Sequence, residues 1–533
     1  MTESYGTCPD NPALSGKERF VLVFLLVVAA GIWTAKVAFG IANGSSLDHS
    51  SGVWTNLALD LAHGTFYRPI FDEEMGFGGT RYLPLFFCLH AALIRLGGDP
   101  IISGHVLTVG SGLLLLGTCY LFLRRLGVAP LGACVVSAAI LGSHNVQYTL
   151  ATIRGDLLPV GLNLGGLLVF LSPWRAKIRE PLTALLFVLA FAAKLTAVHG
   201  LAALFLWLLL NGRTREALRV LLWTAAGCLV LVLGLYLATS GRILTVFQTC
   251  SLGGAKLTMI AKMPVLTARL IQDDAVCLLL LFGAVAVLCC KSRTLITSLP
   301  CLFWLVSLLI TTVIFGSPGT FINHLVDLTA ASALLLGYSV DHVLSHQKRP
   351  FAYVAAFFLM FFALYFSVGL QKQVDQYRKH DYRYPPELVA WFQRHDGPIL
   401  SEDPLIPIMA HRAPYISDPF MLRIIFQKNA ALKAAVMTQI KEKKFSAIIF
   451  IENPRIFKQW YAQIHLGPEF RQTVLDHYDE ARWTGRFYVY QPRGGTDPGP
   501  RRATVESSYE SPKPKSGSWR SEETNVAEKA DAD

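Results

Sequence analysis

Charge is scarce in this chain. Asp, Glu, Lys and Arg make up only 16% of 533 residues, against 53% hydrophobic residues, and the mean hydropathy is +0.42. That balance excludes a soluble globule and points to a protein that crosses a membrane repeatedly. Acids are the scarcer sign, 37 against 48 Lys and Arg, which leaves a net charge of +11. In a soluble protein such an excess would suggest nucleic acid; in this one the basic residues line cytoplasmic loops and meet anionic headgroups. Cysteine pairs at zinc-site spacing are missing too. The 10 cysteines form no CxxC pair and sit mostly in apolar runs, where a thiol serves as a small hydrophobe. None follows Cys301, so the hydrophilic C-terminal part needs no oxidising compartment. No HExxH or HxxxH pattern joins His49, His63, His144, His199 and His324, and "GSPGT" at 316–320 lacks the Lys of a P-loop.

What the chain has in quantity is long apolar runs. Breakers divide them into spans near 20–41, 103–123, 128–146, 157–172, 181–196, 198–211, 217–238, 275–290, 296–315, 325–344 and 350–370. The expectation is a mainly α polytopic protein with about 11 transmembrane helices, each about the length a bilayer needs. The pair around 181–211 reads as a tight hairpin or as one helix plus a re-entrant piece. The first run is too long for a signal h-region and is read as a retained helix. Lys and Arg concentrate in every second loop, from Lys17 and Arg19 through Arg124 and Arg125 to Lys348 and Arg349. This predicts a cytoplasmic N-terminus and an outer C-terminus.

The predicted organisation is a cytoplasmic N-terminus at 1–19, a transmembrane domain at 20–371 with an outer loop at 42–102, an extracytoplasmic α/β domain at 372–493 and a disordered tail at 494–533. The tail is rich in Pro, Ser and charge and cannot bury a core. The large polar pieces fall on the outer side, so the work is expected there.

The outer loop reads "LDHSSGVWTNLALDLAHGTFYRP" and then "GFGGTRYLPLFFCLHAALIRLGG". Val53, Trp54, Leu57, Ala58 and Leu61 recur at helical spacing, which predicts an interfacial helix with Trp54 and Tyr67 at headgroup level and Asp60 on its polar face. "YLPLFFCLHAALIRLG" predicts a second. Asp48 stands where the first span ends. It is either a plain helix cap or a working carboxylate, a general base or a metal ligand, at the membrane surface. "RGD" at 154–156 is either a local Arg154–Asp156 pair or part of a site. Arg68, Arg81, Arg154, Lys256, Lys262 and Arg269 break the positive-inside bias and are candidates for phosphate contact or for snorkelling. Arg81 beside Tyr82 leads. Lys194 lies within an apolar run, where a Lys is costly. Asn43-Gly44-Ser45 is formally a glycosylation sequon.

In their order, these segments resemble the type-C integral-membrane glycosyltransferases. That group holds the protein O-mannosyltransferases, the lipid A aminoarabinose transferases and the lipopolysaccharide-core galacturonosyltransferases. The resemblance runs over roughly residues 20–345 and rests on several short matches. An acid follows the first span (Asp48). An A-x-x-L-x-x-G-x-x-Y helix and turn comes next (Ala58, Leu61, Gly64, Tyr67), then Y-x-P-L (Tyr82, Pro84, Leu85). R-x-D-x-L follows (Arg154, Asp156, Leu158), then K-x-T (Lys194, Thr196) and a late N-x-x-x-D (Asn323, Asp327). Where many of those families pair two acids in the first loop, Asp48 is followed by His49, which leaves a two-carboxylate metal site, and hence a divalent-metal cofactor, open.

The resemblance implies transfer of a sugar from a polyprenyl-phosphate-sugar donor to an acceptor hydroxyl on a lipid, glycan or protein. Its setting is a bacterial inner membrane with the active face outside. It implies Asp48 and Asp156 as catalytic residues, Asp48 being the general base. Arg81, Tyr82, Arg154, Lys194 and Lys256 are implied at the donor phosphate. Inverting displacement at an anomeric carbon needs a carboxylate on the acceptor side and positive charge at the leaving phosphate. A transporter or flippase for a lipid-linked or small polar substrate is the other reading. It would place charge near the midplane, and often has paired halves.

Overall fold

A computed structural model describes residues 15–251, 264–265, 267–268, 274–288, 293–316, 320–343, 348–380, 383–484 and 486–494. Lys256, Lys262, Arg269 and nearly all of the 494–533 tail lie outside the described residues. The chain divides into two compact units. The first comprises Met1–Tyr67, Arg81–Phe247 and Gly253–Arg383; the second comprises Arg68–Thr80, Gln248–Leu252 and Tyr384–Asp533.

The first unit is helical. It opens with α1 (Gly16–Ala42), α2 (His49–Ala62), α3 (Leu85–Arg95), α4 (Pro100–Arg125), α5 (Pro130–Leu141) and α6 (His144–Ala151). These are followed by α7 (Leu157–Phe170), α8 (Ala176–Ala193), α9 (His199–Leu210), α10 (Thr214–Ala238) and α11 (Arg242–Ser251), whose residues from Gln248 on are counted with the second unit. Later helices cover Ala275–Leu288, Leu299–Ile314, Val326–Val343 and Lys348–Arg378. A helix thus overlies each apolar run.

Three of these helices, α1, α4 and α10, are long and apolar enough to cross a membrane by length and composition. Others are shorter than expected: α5 and α9 have 12 residues each and α7 has 14. Their ends are fixed by breakers the apolar count overlooks, such as Gly142-Ser143 after α5. The 181–211 run is two helices. α8 stops at Ala193, and Lys194 caps it in extended backbone (φ −154°, ψ 124°) before α9 begins at His199. Lys194 therefore sits in a break between helices and not within one.

Packing follows small residues. α1 lies along Lys348–Arg378, α4 along α7, and α7 along α8. A Cβ on Gly161 of α7 would stand 3.0 Å from Leu114 Cγ and 3.1 Å from the Leu115 nitrogen, so α4 and α7 meet almost backbone to backbone. Leu115, Phe122, Leu164, Phe187 and Trp304 fill the core. Outward, α1 exposes Phe20, Phe24 and Val27, and α10 exposes Leu222, Val230 and Leu237, apolar faces that suit lipid.

The second unit holds a four-stranded mixed sheet of order β3-β4-β6-β5, from β3 (Ile399–Ser401), β4 (Ala447–Phe450), β5 (Tyr478–Thr484) and β6 (Phe487–Pro492). β3 and β4 are parallel, and the other pairs are antiparallel. The short hairpin of β1 (Phe71–Asp72) and β2 (Gly76–Phe77) joins this unit through a bridge from Phe77 to Ile416. The middle of the loop expected to belong wholly to the helical domain is thus part of the other core. The unit boundary falls after Arg383 and not after 371. Phe77 packs against Phe426 and belongs to the same buried cluster as Leu400, Phe450 and Tyr490.

Candidate active site

Asp48 is the N-cap of α2. Its Oδ1 accepts from the Ser51 backbone N–H at 3.0 Å and faces the Ser51 hydroxyl at 3.3 Å. Its Oδ2 accepts from the Tyr148 hydroxyl at 2.6 Å and from Arg154 Nη2 at 2.5 Å. The same Arg154 Nη2 reaches the Tyr148 oxygen at 2.9 Å. Asp48 is therefore both a cap and one member of a buried charge pair; its side chain and that of Arg154 are only 9% and 8% exposed.

Burial alone would raise the Asp48 carboxyl. The Arg154 guanidinium above all, then His49, the Tyr148 hydroxyl and Arg383, outweigh it and hold the group well below the usual carboxylate range. Burial opposes charge on Arg154 as well, but the Asp48 carboxylate keeps it firmly protonated. Burial pushes the Tyr148 hydroxyl well up, so it is a donor at any ordinary pH.

A second pair adjoins the first. Asp156, just before α7, accepts from Lys194 Nζ at 2.7 Å. Burial raises the Asp156 carboxyl, but Lys194 above all, with Arg154, lowers it further than burial lifts it. His324 lies in the turn Ile322–Leu325. Burial and the cations Lys194, Arg81 and Arg154 depress its imidazole far below the ordinary value, against the pull of Asp156, so it is neutral at pH 7. Arg81 is thereby within electrostatic reach of this centre. Tyr82 stacks on Trp54 with ring centroids 4.2 Å apart.

The structure thus brings Asp48, Arg154, Asp156 and Lys194 together, with Arg81 near. Lys256 lies outside the described residues. Arg68 is spent elsewhere: it donates to the carbonyls of Met75 (2.8 Å) and Pro414 (2.7 Å) and pins the hairpin. Trp54 and Tyr67, expected at headgroup level, are enclosed by protein. Both are buried, Trp54 against Tyr82 and Phe86, Tyr67 against Phe87 with its hydroxyl on the Tyr82 carbonyl at 3.0 Å.

Asp60 is buried too, accepting from Asn56 at 3.2 Å. The cause is that α2 satisfies its own polar groups, with Thr55 on the Ser51 carbonyl at 2.8 Å, and so can be enclosed on all sides. Sequence reasoning missed Tyr148, one turn short of the break before Arg154. It also missed Lys36, which lies inside the first span and donates to Gln147 at 2.5 Å.

Among the described residues, no group of three His, Cys, Asp or Glu side chains converges as a metal site. The Asp48 oxygens already face Arg154, Tyr148 and Ser51, a set of donors that opposes a cation.

No family model matches the chain, and no curated protein matches it in sequence. Solved structures do match in fold. ArnT from Cupriavidus metallidurans, bound to undecaprenyl phosphate, is 11% identical, with 88% of this chain and 97% of that chain covered and a TM-score of 0.57. The Archaeoglobus fulgidus oligosaccharyltransferase AglB, in complex with an inhibitory peptide and a dolichol-phosphate, is 13% identical over 91% of this chain and 76% of its own, at a TM-score of 0.51. An Archaeoglobus fulgidus oligosaccharyltransferase in complex with Zn and sulfate is 12% identical over 86% of this chain and 71% of its own, at a TM-score of 0.52. The chain therefore has the fold of the type-C integral-membrane glycosyltransferases.

Proposed function

We propose that this protein is a glycosyltransferase that moves a sugar from a polyprenyl-phosphate carrier to an acceptor hydroxyl. We place its catalytic face outside the cytoplasm of a bacterial inner membrane. The observation that carries the reading is the buried chain of alternating charge, Asp48–Arg154 and Asp156–Lys194, in a fold whose solved examples hold polyprenyl phosphates. The outward orientation is supported by the Lys and Arg residues of alternate loops.

In the proposed reaction the acceptor oxygen attacks the anomeric carbon as its proton passes to the Asp48 carboxylate. The bond from carbon to phosphate oxygen breaks, polyprenyl phosphate leaves, and the configuration inverts. Arg154, Lys194 and Arg81 lie where positive charge would serve the leaving phosphate. Arg154 is suited to this because it uses only Nη2 on Asp48 and Tyr148, while its buried Nε has no hydrogen-bond partner among the described residues. A carboxylate held this firmly is a weak base. In this mechanism the donor phosphate draws Arg154 off Asp48, and only then does Asp48 gain the proton affinity the step needs.

The test is reconstitution of the full chain in vesicles with a panel of radiolabelled polyprenyl-phosphate-sugars and a crude acceptor extract. Label appearing on acceptor supports the transferase. Label crossing the bilayer with the carrier intact would replace it with the flippase reading.

A further inference from the structure

Deeper in the first unit lies a group of buried polar atoms that this mechanism does not use. It surrounds the break between α8 and α9. His199, at the start of α9, is 1% exposed, Asn163 of α7 is 0% and Asp327, at the start of Val326–Val343, is 6%. His199 Nδ1 stands 3.4 Å from Asp327 Oδ1. Neither atom has a hydrogen-bond partner among the described residues, and the same holds for His199 Nε2, Asn163 Oδ1 and Thr196 Oγ1.

These atoms form one neighbourhood. Asn163 Nδ2 donates to the Ala197 carbonyl at 3.3 Å, and a Cβ on Gly200 would stand 2.7 Å from Asn163 Oδ1. Lys194 is within electrostatic reach of His199 and is itself paired with Asp156, so the group continues from the charge chain.

Leaving so many buried polar atoms without partners is costly. A hydrocarbon tail here would keep that cost. A phosphate here would face the Asp327 carboxylate. The set mixes acceptors (Asn163 Oδ1, Asp327 Oδ1) with groups that both donate and accept (the Thr196 hydroxyl, the His199 imidazole). Vicinal hydroxyls on a ring present that mixture, each donating once and accepting from a neighbour.

We infer that Asn163, Thr196, His199 and Asp327 form the subsite for the polyhydroxylated ring of the transferred sugar. The inference rests on the lipid-linked donor reading above and adds a place for its sugar.

The test compares the affinity of the full-length protein in nanodiscs for polyprenyl phosphate and for polyprenyl-phosphate-hexose. Thr196→Val removes one hydroxyl at constant volume, and His199→Asn keeps polarity with a shorter reach. Each is expected to lose about tenfold in affinity for the glycosylated lipid. Binding of polyprenyl phosphate itself should stay within about twofold, on the same scale.

If both lipids bind wild type and neither variant changes their ratio, the donor reading stands and the subsite falls, the atoms being served by ordered water. If both lipids weaken in parallel, the residues act structurally and the subsite again falls. If wild type binds neither lipid, the donor reading falls and takes the subsite with it. Should His199→Asn fail to fold, Thr196→Val, at a half-exposed position, decides alone.

Discussion

Replacing Arg154 with Gln leaves Asp48 buried beside a neutral neighbour. Both side chains are less than a tenth exposed and meet at 2.5 Å, so the relevant regime is a buried pair losing one partner, about 3–5 kcal/mol, and not an exposed pair worth under about 1 kcal/mol. The sign of the pH dependence should also change. In wild type the folded carboxyl lies below its unfolded value. Its stabilisation is complete above about pH 4 and is lost as pH falls toward the folded value. In Arg154→Gln, burial, the largest influence on Asp48, loses its chief opponent, and the folded carboxyl rises above the unfolded value. Stability is then highest at low pH and falls as pH rises through that raised value. Thermal unfolding of the detergent-purified chain between about pH 3 and 8 reads both effects. Asp48→Asn combined with Arg154→Gln removes both charges and should recover most of the loss. A loss under about 1 kcal/mol with an unchanged pH slope would refute the buried-pair argument.

Two further predictions concern the second unit. The Glu402 carboxylate is fully enclosed. It accepts from the Ile451 N–H (2.8 Å), Trp460 Nε1 (2.9 Å) and the Tyr461 hydroxyl (3.1 Å), and pairs with His465 Nδ1 at 2.6 Å. Glu402→Gln turns an N–H toward these donors and should cost about 1–3 kcal/mol in denaturant unfolding followed by tryptophan fluorescence; an unchanged midpoint would contradict the network. Gly76 has φ +74°, and a Cβ on it would stand 2.1 Å from the Tyr415 carbonyl. Gly76→Ala should therefore detach the β1–β2 hairpin, seen as faster proteolysis within 68–80; wild-type resistance would show that the contact gives way.

Much of this was legible in the sequence. Apolar runs place the helices because lipid and core both select for them; Asp48, Arg154 and Asp156 stand out as polar residues at the ends of such runs, and Lys194 as a charge within one. The partners were not legible. Tyr148 lies 100 residues from Asp48 and reads as one more aromatic near a span end until the fold brings it within 2.6 Å. Trp54 has the spacing of an interfacial helix. Only tertiary enclosure distinguishes that from a buried one. His199, Asn163 and Asp327 come from three separate helices, so neither periodicity nor local spacing links them. The assignment of residues 68–80 to the second unit was equally hidden, since its anchor is two backbone carbonyls held by Arg68.

The central claim is that the Asp48 carboxylate takes the acceptor proton during sugar transfer. The direct measurement is single-turnover transfer from bound polyprenyl-phosphate-sugar by wild type and by Asp48→Asn, with donor binding measured on the same samples. The account predicts that Asp48→Asn retains donor binding and loses transfer by at least about 10²–10⁴-fold, as expected for loss of a general base. Full transfer by Asp48→Asn would reduce Asp48 to a helix cap and contradict the account.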